Sequence, residues 1–182
     1  MMTKPKRLFR NRPITGNLES KATRLAIADA VHRAVCEYTE SDGLGACHKY
    51  AVAGRGLLWY LGKRTIIQAG TMFCLANTVY QDYMSFLGQN WRQGELHVWL
   101  ADERDTIDFS SRLYRRMWEE LTGVQVTDWN RPDPPPYVWC ERLPHWLKLI
   151  ALQEPTMEVR QYNEDWEELI RLAIKEYVKC RE

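Results

Sequence analysis

The sequence predicts one α+β domain, and three observations carry that expectation. Apolar residues recur at helical spacing in long stretches near both ends of the chain. Short runs rich in β-branched and aromatic residues, "RTIIQAG" and "ELHVWLA", read instead as strands, and the second is followed by a turn and a partner run. The length, 182 residues, suits a single domain with a sizeable core. Residues 1–16 carry Lys, Arg, Pro and Gly with little periodicity and read as a basic flexible arm, which leaves 17–182 as the domain.

The first helix is expected from Asn17 to about Tyr38, with Asn17 as its cap and Leu18, Ala22, Leu25, Ala28, Val31, Val35 and Tyr38 as its apolar face. "SDGLGA" (Ser41 to Ala46) stops that helix and turns the chain. A second helix starts at Cys47 and runs to about Leu61. Ala51, Leu57, Leu58 and Leu61 form its stripe, Gly54 and Gly56 weaken it or admit another backbone, and Gly62 serves as C-terminal cap. "RTIIQAG" is the first strand, residues 71–90 stay open between strand, loop and helix, and Glu95 to Ala101 is the clearest strand. "DERD" is a turn and "TIDFS" its hairpin partner. Ser111 to Leu121 reads as a helix, and the prolines of Asn130 to Tyr137 exclude a regular element there. Residues 138–160 carry no decisive pattern. A last helix, about Glu164 to Cys180, is capped by Asn163 and turns Trp166, Leu169, Ile170, Ala173, Tyr177 and Val178 inward.

Composition excludes some classes. The net charge of +1 and pI of about 7.6 give no global pull toward nucleic acid, membrane surface or acidic substrate. The basic arm reads as a solvated tail, and a nucleic-acid partner is not favoured. No apolar run is long enough to span a bilayer, and no apolar segment follows the N-terminal basic residues as a secretory signal would need, so the expected compartment is the cytoplasm. Five cysteines at 36, 47, 74, 140 and 180 show no CxxC pairing and are expected reduced.

The chemistry points to Cys47. A thiol becomes a nucleophile as the thiolate, favoured at a helix N-terminus or beside an imidazolium. Cys47 follows a glycine turn and opens a helix. His97 lies in the clearest strand, and Asp108 in the strand after the turn. A two-residue loop (Glu103-Arg104) or a four-residue loop (Asp102 to Asp105) gives the same register. Either sets Asp108 opposite Trp99 and diagonal to His97 on one sheet face, at about 7 to 8 Å. A three-residue loop would turn Asp108 to the other face. The roles that follow are Cys47 as nucleophile, His97 as general base and acid, and Asp108 as the group that fixes the imidazole tautomer.

The segment "GACHKYAVAGRGLLWYLGKRTIIQAG", followed by "GELHVWLADERDTIDFSS", resembles the transglutaminase-like branch of the papain-like cysteine enzyme superfamily. The likeness lies in a Cys at a helix start, a small-residue and leucine pattern ending in "LG", a strand ending in Gly, a His-x-Trp strand, and a strand ending in Asp. It runs from about Gly43 to Ser111 and puts Cys47, His97 and Asp108 at the family's three catalytic positions, in its order. It implies a papain-like α+β fold, with the helix bearing the Cys packed on an antiparallel sheet bearing the His and Asp. It also implies acyl transfer through a thioester on a protein or peptide amide, as a peptidase, deamidase or transglutaminase-type enzyme, with no metal or organic cofactor. No Gln precedes Cys47 to serve the oxyanion, and the second half of the chain matches no known pattern.

Other residues receive plainer readings. Trp59, Trp91 and Trp99 are candidates for a substrate groove, with Trp99 packing beside the site. His48 is expected to turn away from Cys47, one step along the helix. His32 and His145 read as structural, Cys36 and Cys74 as core, and Cys180 as an exposed thiol. No recognised ligand spacing supports a zinc site. The rival to an enzyme is a non-catalytic interaction module on the same fold, using the arm or an aromatic surface. The sequence does not decide oligomeric state.

Overall fold

The computed structural model describes residues 17–74, 97–122, 135–144, 147–151 and 166–180. The basic arm, Trp91, His145, Asn163 and the Cys74 side chain lie outside the described residues. The described elements are α1 (Lys21–Thr39), α2 (Cys47–Tyr60), β1 (Ile66–Cys74), β2 (His97–Ala101), β3 (Thr106–Asp108), a 3₁₀ turn (Ser111–Leu113) running into α3 (Tyr114–Thr122), β4 (Val138–Cys140), β5 (Leu147–Ala151) and α4 (Trp166–Lys179). The five strands form one antiparallel sheet in the order β4-β3-β2-β1-β5. The protein is therefore α+β, with four α-helices among the described residues. No helix among them is long and apolar enough to cross a membrane.

Helix α1 begins later than expected. Ser20, not Asn17, is its N-cap: Ser20 has extended backbone and its hydroxyl accepts from Thr23 N–H. Asn17 is already committed to the preceding turn, where its side chain accepts from Glu19 N–H at 3.0 Å and its carbonyl from Ser20 N–H at 3.0 Å. The apolar face shifts with the start. Ile27, Ala28, Ala30, Val31, Ala34 and Val35 are buried, whereas Ala22 and Leu25 are exposed.

Helix α2 is central, packed on β2 and against α1 and α4. Its burial runs nearly all round, through Cys47, Tyr50, Ala51, Ala53, Gly54, Gly56, Leu57 and Leu58. Each fully buried Leu contributes about 1.5–3 kcal/mol of transfer free energy. The two mid-helix glycines make room for side chains, not for the second backbone the sequence suggested. A Cβ at Gly54 would sit 2.5 Å from Phe109 Cδ2, and one at Gly56 would sit 2.5 Å from Ile170 Cγ1. Phe109 cannot retreat easily, because Trp139 abuts it edge-on at 6.2 Å. Gly54→Ala is therefore expected to destabilise the protein by about 1–3 kcal/mol through overpacking, although Ala is intrinsically the better helix former. Urea denaturation checks this, and an unchanged midpoint would refute it.

The exit of α2 matches expectation. Gly62 has φ +89°, its N–H bonds to the Trp59 carbonyl at 3.0 Å, and Lys63 N–H bonds to the Leu58 carbonyl at 2.8 Å. That pair of bonds is a Schellman cap, which the left-handed glycine permits.

Strand β1 is longer than "RTIIQAG" because it has two partners. Ile66 to Gly70 pair with β2, and Gly70 to Cys74 pair with β5. Gly70 belongs to both ladders. A Cβ there would strike the Ile150 backbone carbonyl and lie 2.7 Å from Trp99 Cη2. Strands β4 and β5 fall in the stretch where the sequence had no decisive pattern, and the expected helix from Ser111 opens as a 3₁₀ turn.

The β2–β3 connection is the four-residue loop. Leu100 pairs with Ile107 and Ala101 with Thr106. Asp102 organises it, accepting from Arg104 N–H at 2.8 Å and Asp105 N–H at 2.6 Å, while Lys63 forms ion pairs with both Asp102 and Asp105. Asx turns of this kind set the loop length locally. Val98, Leu100 and Ile107 join the main core with α2, so His97, Trp99 and Asp108 project from the other face.

Candidate active site

The turn before Cys47 aims the helix. Gly43 and Gly45 take φ of +80° and +72°, and a Cβ at Gly43 would lie 2.6 Å from the Tyr50 hydroxyl. Tyr50, in the first turn of α2, bonds His32 Nδ1 of α1 at 2.6 Å. This ties the Cys47 end of α2 to α1 and gives His32 the structural part expected of it. Ala46 occupies the N-cap without a side-chain acceptor, so no cap side chain covers the first-turn N–H groups beside Cys47.

Three expected residues converge. His97 is 4% exposed and its Nε2 bonds Asp108 Oδ2. Asp108 is 2% exposed and receives three further donors: Ser110 N–H at 2.7 Å and Ser110 Oγ at 2.6 Å on Oδ1, and the Tyr114 hydroxyl at 2.5 Å on Oδ2. Burial alone would raise the Asp108 pKa, but the His97 ring beside it and these donors hold it below the ordinary carboxylate value. The ring of His97 lies between two aromatics, stacked on Trp99 at 6.0 Å and met edge-on by Tyr114 at 5.7 Å.

Burial opposes charge on His97, yet the Asp108 carboxylate outweighs it and raises the imidazole to about 10, with a smaller contribution from Cys47. With Nε2 engaged by Asp108, Nδ1 is the nitrogen left for the sulfur. Nδ1 is buried without a hydrogen-bond partner among the described residues, and the ring and the Cys47 thiol influence one another through charge at short range. At Cys47 burial again opposes ionisation. The hydrogen bond from His48, the neighbouring His97 ring and its charge, and the Val98 backbone N–H reverse it and lower the thiol from 9.0 to about 6. The Val98 contact sets the sulfur beside the β2 backbone, one residue from His97.

His48 corrects an expectation. It does not turn away from Cys47 but hydrogen-bonds to its thiol, and its ring meets Trp166 edge-on at 6.1 Å. Lys49 Nζ, which can only donate, lies 3.4 Å from His48 Nε2, which makes Nε2 the acceptor and leaves Nδ1 as the ring's donor.

Trp99 packs against His97 as anticipated. Trp59 does not belong to the site: it is 42% exposed and lies roughly 18 Å down α2 from Cys47 at 1.5 Å per residue. Trp91 lies outside the described residues. Cys36 is only half-buried and Cys180 is exposed. The sequence reading missed Ser110, Tyr114 and the inward turn of His48. Asp-x-Ser at 108–110 carries a local signal, since an Asp side chain commonly accepts from the N–H two residues on. Tyr114 carries none, because only the 3₁₀ turn brings it back over Asp108.

No family model matches this chain, and no curated protein and no solved structure matches it.

Proposed function

We propose that this protein is a thiol-dependent hydrolase or acyltransferase of the transglutaminase-like, papain-like kind, acting on protein or peptide amides. The carrying observation is the His97 ring, bonded to Asp108 through Nε2 and paired with Cys47 at the N-terminus of α2. In this reading the Cys47 thiolate attacks the amide carbon. The oxyanion forms against the first-turn N–H groups of α2. His97 delivers its proton to the departing amine as the C–N bond breaks, leaving a thioester on Cys47. Water or a second amine, losing its proton to His97, then cleaves the thioester and restores the thiol. Asp108 holds the ring's tautomer throughout.

The test is incubation with an electrophilic acyl probe, such as a peptide vinyl sulfone, at pH 6.5, followed by peptide mapping. One adduct is expected, on Cys47, and none in Cys47→Ala. Labelling of Cys47 no faster than a free thiol would leave the non-catalytic interaction module as the better reading.

A further inference from the structure

Asp108 is unusual in being filled. An ionised carboxylate offers about four acceptor sites, and here four donors occupy them: His97 Nε2 and the Tyr114 hydroxyl on one oxygen, the Ser110 N–H and hydroxyl on the other. Every one of these groups is buried, with Tyr114 and Ser110 each 1% exposed. Three of the donors come from beyond β3, one of them across the 3₁₀ turn that Ser111 holds by donating to the Pro135 carbonyl at 2.7 Å. A carboxylate bonded to His97 alone could rotate about its own axis and carry the ring with it. With both oxygens held it cannot, and the Tyr114 and Trp99 rings both pack against the imidazole.

We infer that Tyr114 and Ser110 are positioning residues that lock Asp108, and through it the His97 ring, in the orientation that pairs with Cys47. The inference rests on the thiol-enzyme reading above, and it adds two residues outside the triad to the machinery. Neither touches substrate; both act through Asp108.

Tyr114→Phe keeps the ring and removes only the hydroxyl, and Ser110→Ala removes one of two donors on the other oxygen. Each is expected to lower the rate of Cys47 alkylation by iodoacetamide at pH 7 about tenfold, and to move the acid limb of its pH profile upward, because a loosened carboxylate stabilises the imidazolium less. In an Asp108→Ala background Tyr114→Phe should cost nothing further, since its target is gone. The second readout is the downfield proton signal of His97 Nε2–H, which should persist in the wild type and broaden by solvent exchange in Tyr114→Phe. Unchanged rate, profile and proton signal in both variants would overturn the inference, as would a loss additive with Asp108→Ala. A wild-type Cys47 that alkylates no faster than a free thiol would instead sink the enzyme reading, while the Nε2–H signal would still decide whether Tyr114 and Ser110 hold the pair.

Discussion

His97→Ala is expected to weaken the low-pH reactivity of Cys47, cutting alkylation at pH 6 by at least about tenfold. The wild-type thiol is held at about 6 against the pull of burial by the His48 hydrogen bond and by the neighbouring His97 with its charge. Without the imidazolium, burial meets only the His48 and Val98 hydrogen bonds, and the thiol rises toward its ordinary 9.0. The sign follows directly. The thiolate exists above its pKa, so wild-type rates rise through about pH 6, whereas the variant's rise at higher pH and the two curves meet only above the variant's raised pKa. An acyl-transfer rate needs the imidazolium as well and should fall again as His97 deprotonates near pH 10. Alkylation followed from pH 5 to 10 checks this. A variant whose midpoint stays near 6 would mean that His48, the other imidazole at the sulfur, controls the thiol instead.

Asp108→Ala should cost both fold and chemistry. It leaves a buried imidazolium without its counter-charge and three further donors without an acceptor. Breaking a buried pair in this way costs about 3–5 kcal/mol, which for a domain of this size lowers the melting temperature by roughly 10 °C. Acyl transfer should fall about 10²- to 10⁴-fold, the usual weight of a misdirected general base. The stability difference depends on pH in a defined way. His97 is raised, so its contribution is full below its unfolded value of 6.5 and fades as pH rises through about 10. Asp108 is lowered, so its contribution is full above 3.8 and fades as pH falls through its folded value. Melting temperatures of the two proteins should therefore differ most between about pH 4 and 6.5, and the gap should narrow, without closing, as pH rises through about 10. A constant gap across that range would argue that Asp108 acts by packing alone.

Much of the site was readable because it is built locally. The glycine turn before Cys47, the Gly62 cap and the Asp102 loop each depend on residues within a few positions, and together they specify where α2 begins and on which face Asp108 stands. What was hidden depends on distant partners. Strand β5 is defined by pairing with β1 more than seventy residues earlier, and its own five residues announce little. The buried arc of α1 is set by α2 and α4, which is why Leu25, apolar and correctly spaced, ends up in solvent. Asn17 and Ser20 are equally good caps by composition, and only the turn that occupies Asn17 decides between them. Tyr114 reaches Asp108 through a change of helix type that no periodicity records.

Gly70 gives the sheet a means of communication. The empty space where its side chain would be is shared by the Ile150 backbone on β5 and the indole of Trp99, and that indole lies flat on His97. How closely β5 docks and how Trp99 leans on the imidazole are thus one adjustment with two ends. Changes on β5 are expected to tilt the His97 ring without altering Cys47, His97 or Asp108 themselves. Selection or engineering for altered rate has a handle there, remote from the thiol and free of its constraints.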